Sequence, residues 1–113
     1  MKQYTSNDQT SKLIELGFEK PKGSVECELP KGDWRIGAIG IRKAYSIGEL
    51  LEMLPKEINS DTLPGMFGIY IDHNKMWAVD YSSVLGEQYS TNSIELIDAI
   101  YDMIIKLKKD GVI

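Results

Sequence analysis

The chain has 113 residues, 42% of them hydrophobic, with a formal net charge of -4 and a single cysteine. One domain of this length should bury roughly two-thirds of the surface its unfolded chain exposes, so it can fold without metal or disulfide staples. Cys27 has no second cysteine to pair with, which excludes an intramolecular disulfide and any cysteine-cluster zinc site.

In chain order, the opening Lys2-Gln3-Tyr4-Thr5-Ser6-Asn7-Asp8 has no apolar core that could serve as a signal peptide. No apolar run anywhere approaches the ~18 residues that span a bilayer. A cytoplasmic protein without a membrane partner is therefore expected. The first helix is short: Ser6 and Gln9 have capping-box spacing, and Leu13 and Leu16 are its apolar positions. Gly17 supplies the left-handed turn that ends it, with Phe18 folding back onto Leu13.

Residues 19 to 33 are polar and punctuated by Pro21, Gly23, Pro30 and Gly32. Within them Val25, Cys27 and Leu29 alternate with Glu26 and Glu28, the period of a half-buried strand. Cys27 then reads as a small buried hydrophobe, because its acidic neighbours disfavour a thiolate. Trp34 to Ile41 is a second strand weakened by two glycines. Its Gly37-Ala38-Ile39-Gly40 has the outline of the glycine loop of KH-type RNA-binding domains. That family carries small, polar or basic residues between its glycines, where this chain has Ala38 and Ile39.

The second helix is the best defined. Ser46 and Glu49 form a capping box, Tyr45 and Leu50 a hydrophobic staple, and Ile47, Leu50, Leu51 and Leu54 share one face before Pro55. After a turn-rich connection from 56 to 65, strands over Met66–Asp72 and Met76–Ser82 flank His73-Asn74-Lys75 as a hairpin. Residues 83 to 92 read as a polar loop. The last helix covers about 93 to 109, with Asn92 or Ser93 as its cap and Gly111 past its end. Ile94, Leu96, Ile97, Ile100, Tyr101, Met103, Ile104, Ile105 and Leu107 span roughly 200° of its surface, where an ordinary surface helix needs little over ~100°. This helix is either wedged between two layers or half-covered by another chain. The fold class is α+β, one domain over residues 1–113, in the order α-β-β-α-β-β-α, with an antiparallel sheet packed against helices.

The chemistry-bearing residues are sparse. His73, the lone histidine, sits in a turn with no serine or cysteine brought to it. Asp72, His73 and Asp80 make too poor a set for a typical metal site. Glu95, Asp98 and Asp102 precede Lys106, Lys108 and Lys109 along the last helix, matching its dipole as a solvated face. No phosphate loop or dinucleotide fingerprint is present. The chain is thus expected to be a non-enzyme, with no cofactor, no metal and no catalytic residue. Its candidate interaction residues are the large aromatics Trp34, Tyr45, Trp77, Tyr81 and Tyr101, which serve cores and interfaces alike. Arg35, Arg42 and Lys43, beside Trp34 and Tyr45, define the alternative: a patch for single-stranded nucleic acid. The net negative charge argues against that partner.

Two stretches, Ala44-Tyr45-Ser46-Ile47-Gly48-Glu49-Leu50-Leu51-Glu52-Met53-Leu54-Pro55 and Ser93-Ile94-Glu95-Leu96-Ile97-Asp98-Ala99-Ile100-Tyr101-Asp102-Met103, are joined by the closing Gly111-Val112-Ile113. Together, over residues 44 to 113, they resemble small proteins carried by gut bacteria of the Bacteroides group and by their phages. That group has no assigned activity, so the resemblance transfers no catalytic residue. It implies a mobile-element origin, where small acidic proteins often bind host or phage proteins. A protein-interaction module, with self-association as one form, is the leading expectation.

Overall fold

The computed structural model describes residues 2–28, 39–58, 65–83 and 86–113, with only the main chain described for residues 24–28, 39–42 and 87. The described order is α1 (Asn7–Glu15), β1 (Gly23–Glu28), β2 (Ile39–Ala44), α2 (Ile47–Met53), β3 (Glu57–Ile58), β4 (Gly65–Ile71), β5 (Trp77–Ser83), β6 (Gly86–Ser93) and α3 (Leu96–Lys109). An antiparallel β1-β2 pair stands apart from a four-stranded antiparallel sheet of order β3-β4-β5-β6. The α+β class follows directly.

Both early helices start as their sequences dictate. The Ser6 hydroxyl accepts from the Gln9 N–H at 3.2 Å, and the Gln9 side chain accepts from the Ser6 N–H at 2.9 Å. Ser46 and Glu49 repeat the arrangement at 3.2 and 3.3 Å. The two caps lie side by side, because Tyr4 and Ser46 form a bridge and the Thr5 N–H donates to the Tyr45 carbonyl at 3.0 Å. Their junction is sealed by a buried relay with one consistent proton order. The Thr10 hydroxyl donates to the Ser6 carbonyl, so Thr5 Oγ1 donates to Thr10 Oγ1 at 2.7 Å and accepts from the Tyr45 N–H.

α1 ends in a Schellman motif: the Gly17 N–H meets the Ile14 carbonyl and the Phe18 N–H the Leu13 carbonyl, with Gly17 at φ 98°. α3 ends in the same way at Gly111, φ 76°. α2 stops where Leu54, extended because Pro55 follows, leaves the helical region.

Three expectations need correction. Residues 86–93 are strand β6, not a polar loop; they pair with β5 along its whole length and set Tyr89 against Tyr81 and Thr91 against Val79. The two-residue β3 was also missed, so the hairpin gains a strand on each side. Since Asn92 and Ser93 belong to β6, neither caps α3, which begins only at Leu96 with Glu95 as its N-cap and no side-chain cap bond. Finally, β2 continues through Arg42 and Lys43 to Ala44, and Gly40 is strand, opposite Cys27. Trp34 to Ala38 lie outside the described residues.

The core joins Leu13, Tyr45 and Leu50 to Val79 and Tyr81 on the sheet and to Ile97, Ile100, Met103, Ile104 and Leu107 on α3. The staple partners Tyr45 and Leu50 are both fully buried in it. α3 lies on β5 and β6 with α2 against it, and Asp8 of α1 bears on Tyr101. Ile97, Ile100, Met103, Ile104 and Leu107 of the wide apolar arc are therefore covered from within, while Leu96, Tyr101 and Ile105 are half-buried. Ile94 lies before the helix and stays exposed.

Candidate functional site

Of the residues singled out in the sequence, Tyr45 and Tyr81 belong to the core. Each spends its hydroxyl internally, Tyr45 on the Glu19 carbonyl and Tyr81 on the Pro55 carbonyl at 2.6 Å. Trp77 and Tyr101 are half-buried. Lys43 is exposed on β2 opposite Ser24, and Arg42 stands opposite Val25. Trp34 and Arg35 fall outside the described residues. Among the described candidates no single cluster forms: Tyr45 and Tyr81 face inward, Lys43 sits on the separate two-stranded sheet, and Trp77 begins β5.

His73 is exposed in the β4-β5 turn. The Asp72 carboxylate organises that turn by accepting from the Met76 and Asn74 N–H groups at 3.1 and 2.9 Å, and the Met76 bond above all holds its pKa below the usual range. Asp80, opposite Gly68, lies well down the hairpin from the turn and does not join Asp72 and His73. Among the described residues no group of three His, Cys, Asp or Glu side chains comes together to hold a metal ion.

The acidic face of α3 is not simply solvated. The Lys2 N–H donates to Glu95 at 2.8 Å, and the Lys2 ammonium meets Asp98 Oδ1 at 2.8 Å and Gln9 Oε1 at 3.1 Å. These contacts tie the N-terminal segment to α3 and use the carboxylates for structure.

An open groove of about 290 Å³ lies between the segment after α1 and α2, lined by Phe18, Lys20, Lys22, Tyr45, Glu49 and Met53 among others. A ligand pocket needs convergent polar groups with capacity to spare. Here the Tyr45 hydroxyl is committed to Glu19, while Glu49 caps α2 and accepts from the Lys22 N–H at 3.1 Å. The groove's central polar atoms are already satisfied by the chain itself.

The outer edge of β4 differs. β3 covers β4 only through the pairs Glu57–Met66 and Ile58–Gly65, with one further bond from the Phe67 N–H to the Lys56 carbonyl at 3.3 Å. Main-chain groups in a strand alternate sides, so those of Ile69 and Ile71 point to the same edge as Phe67. Among the described residues no strand pairs there beyond Phe67. The side chains along this stretch are apolar and accessible: Ile69 is 36% exposed, Tyr70 44% and Ile71 59%. β4 (GMFGIYI) contains no charged residue, whereas natural edge strands are usually guarded by charge, proline or a bulge. The opposite edge is guarded: β6 is polar, and Lys106 reaches across to donate to the Ser90 carbonyl at 3.3 Å.

β4 is legible in the sequence as a hairpin strand but not as an edge, because strand order depends on β3 and β6, which the sequence pattern does not show. The absence of charge in Met66–Ile71 was the available signal. Among the described residues no helix is long and apolar enough to cross a membrane. No family model, curated protein or solved structure matches the chain.

Proposed function

We propose that this chain is a non-catalytic protein-interaction module that receives an extended segment of protein along the outer edge of β4. The observation that carries this reading is the uncharged, accessible stretch Gly68–Ile71, whose outward main-chain groups meet no described strand. Strand addition to such an edge draws affinity from main-chain hydrogen bonds and selectivity from alternate side chains. Ile69 and Ile71 are the alternate apolar contacts here. The resemblance of residues 44–113 to phage-borne proteins supports the same class, since small acidic proteins of that origin often act by binding other proteins.

The test is site-specific photo-crosslinking in cells, with the reactive residue placed at Ile71 or, as the control, at exposed Gln88 on β6. Adducts at position 71 that map to one defined peptide, and that Ile69→Lys suppresses, support the reading. Adducts at position 88 alone, or at neither position, overturn it.

A further inference from the structure

Resting on that reading, we infer that the segment received by β4 is β4 of a second copy of this chain, so that two sheets join edge to edge about a two-fold axis at Tyr70.

The open part of the β4 edge is short. β3 occupies it through Phe67, by way of the Lys56 carbonyl, and the turn begins at Asp72. Ile69 and Ile71 are the only residues between these limits with main-chain groups directed outward. An antiparallel partner that uses both must place Ile69 against Ile71 of the second copy, and Ile71 against its Ile69. The midpoint of that register is Tyr70, so the pairing is its own mirror under a two-fold axis, the usual symmetry of a protein dimer. No other register of two β4 edges engages both isoleucines of each copy without running into β3.

The side chains suit this register. Ile69 and Ile71 share one face and pack across the junction as a β-branched pair, the kind of cross-strand contact that stabilises a ladder. Tyr70 faces Tyr70 of the second copy on the other face, at a non-hydrogen-bonded position where side chains approach closely. Gly68 falls opposite the start of the turn, where it adds no side chain to obstruct the partner. Charge does not oppose the approach either. The formal net charge of -4 disfavours self-association in general, but β4 carries none of it. A second copy is also the one partner that presents the matching uncharged strand by construction. On each copy Ile71 pairs with Trp77 of β5, which is half-buried.

Light scattering over a concentration series, followed by disulfide trapping, tests this. The wild-type mass should rise towards twice that of the chain as concentration increases. Ile69→Lys with Ile71→Lys should hold the protein at the monomer mass, with a melt that matches the wild type at dilutions where the wild type is monomeric, since both side chains are accessible. In a Cys27→Ser background, Tyr70→Cys should yield a disulfide-linked dimer under mild oxidation, because the facing Cβ atoms fall within bridging range. Gln88→Cys should not. A wild type that stays monomeric throughout, a dimer that survives the double lysine change, or equal crosslinking at positions 70 and 88 overturns the proposal. If the wild type is monomeric while the crosslinker at Ile71 captures another protein, only the self-pairing fails. If it captures nothing, strand addition fails with it.

Discussion

The carboxamide of Gln9 closes the capping box of α1 with its oxygen and, with its nitrogen, donates to Asp98 of α3 at 2.8 Å. One side chain thus fixes both the start of α1 and its position against the last helix. Lys2 completes the triangle, bonded to both.

Burial alone would raise the pKa of Asp98, but the hydrogen bonds from Lys2 and Gln9 and the charge on Lys2 outweigh it, and the carboxyl titrates below its ordinary value. A group depressed in the folded state contributes stability that is present above its unfolded pKa, ~3.9 for Asp. That contribution is lost as pH falls through the lower, folded value. Urea unfolding of the wild type should therefore weaken on acidification through this range, and Asp98→Asn should flatten that limb while lowering stability at neutral pH. Wild type and Asp98→Asn losing stability in parallel as pH falls would show that Asp98 does not carry the effect.

The α2 cap makes a similar demand. Ser46→Ala removes the acceptor for the Glu49 N–H and should cost about 1 kcal/mol. Leu50→Ala, fully buried beside Tyr45, should cost more, ~2–5 kcal/mol, since it adds a cavity to the lost transfer energy. Thermal melts rank the two. If Leu50→Ala melted above Ser46→Ala, the staple would contribute less than its burial implies.

What the sequence made legible was local. Ser6 with Gln9, Ser46 with Glu49, Gly17 and Gly111 each act on main-chain groups within a turn of themselves, and the structure forms all four devices. Strand β6 was hidden because Gly86-Glu87-Gln88-Tyr89-Ser90-Thr91-Asn92-Ser93 has almost no apolar alternation; pairing with β5, not composition, makes it a strand. With β6 went the start of α3 and the identity of the sheet's edges. The open edge of β4 follows from strand order, a tertiary fact, whereas the aromatic content of Tyr45 and Tyr81 belongs to the core.

Tyr81 makes an alkaline prediction. Burial pushes its phenol up to about 12, and the hydroxyl donates to the Pro55 carbonyl. A group raised in the folded state contributes stability that is complete below its unfolded pKa of ~10 and lost as pH rises through the folded value. Stability should decline from about pH 10 towards 12, less steeply in Tyr81→Phe. At neutral pH that variant should be about 1 kcal/mol less stable, because the Pro55 carbonyl loses its donor. Ultraviolet titration of tyrosinate, compared between the two proteins, reads the difference. An identical alkaline limb in both would assign it to other tyrosines.

The hairpin turn holds a non-glycine residue in the left-handed region: Lys75 has φ 62°, with its N–H bonded to the Asp72 carbonyl at 2.9 Å. Lysine adopts this conformation at a cost of ~1–2 kcal/mol that glycine avoids. Lys75→Gly should therefore raise the urea midpoint, despite the greater freedom glycine gives the unfolded chain. A lowered midpoint would mean that the lysine side chain contributes more than its strain takes away.

Two glycines should respond to alanine in opposite directions. Gly48 lies in the first turn of α2, exposed, and a Cβ there would meet nothing nearer than Ser46 Oγ at 3.9 Å. Gly48→Ala gains helix propensity and restricts the unfolded chain, so it should stabilise by about 0.5–1 kcal/mol. Gly23 opens β1 opposite Ala44, and a Cβ there would stand 2.8 Å from the Ala44 carbonyl and 3.0 Å from the Tyr4 ring. The carbonyl is main chain and cannot turn aside as a long side chain can, so Gly23→Ala must shift β1 against β2. It should lower the melting temperature, where Gly48→Ala raises it. Thermal melts of the two single variants and the double variant decide this. A Cβ at Gly23 would also stand 3.4 Å from Glu49 Oε1, which bonds the Ser46 hydroxyl nearest Gly48, so the sites are linked through the α2 cap and the double variant should depart from simple addition. A stabilised Gly23→Ala would mean that β1 yields freely at that point and that the close approach does not fix its register.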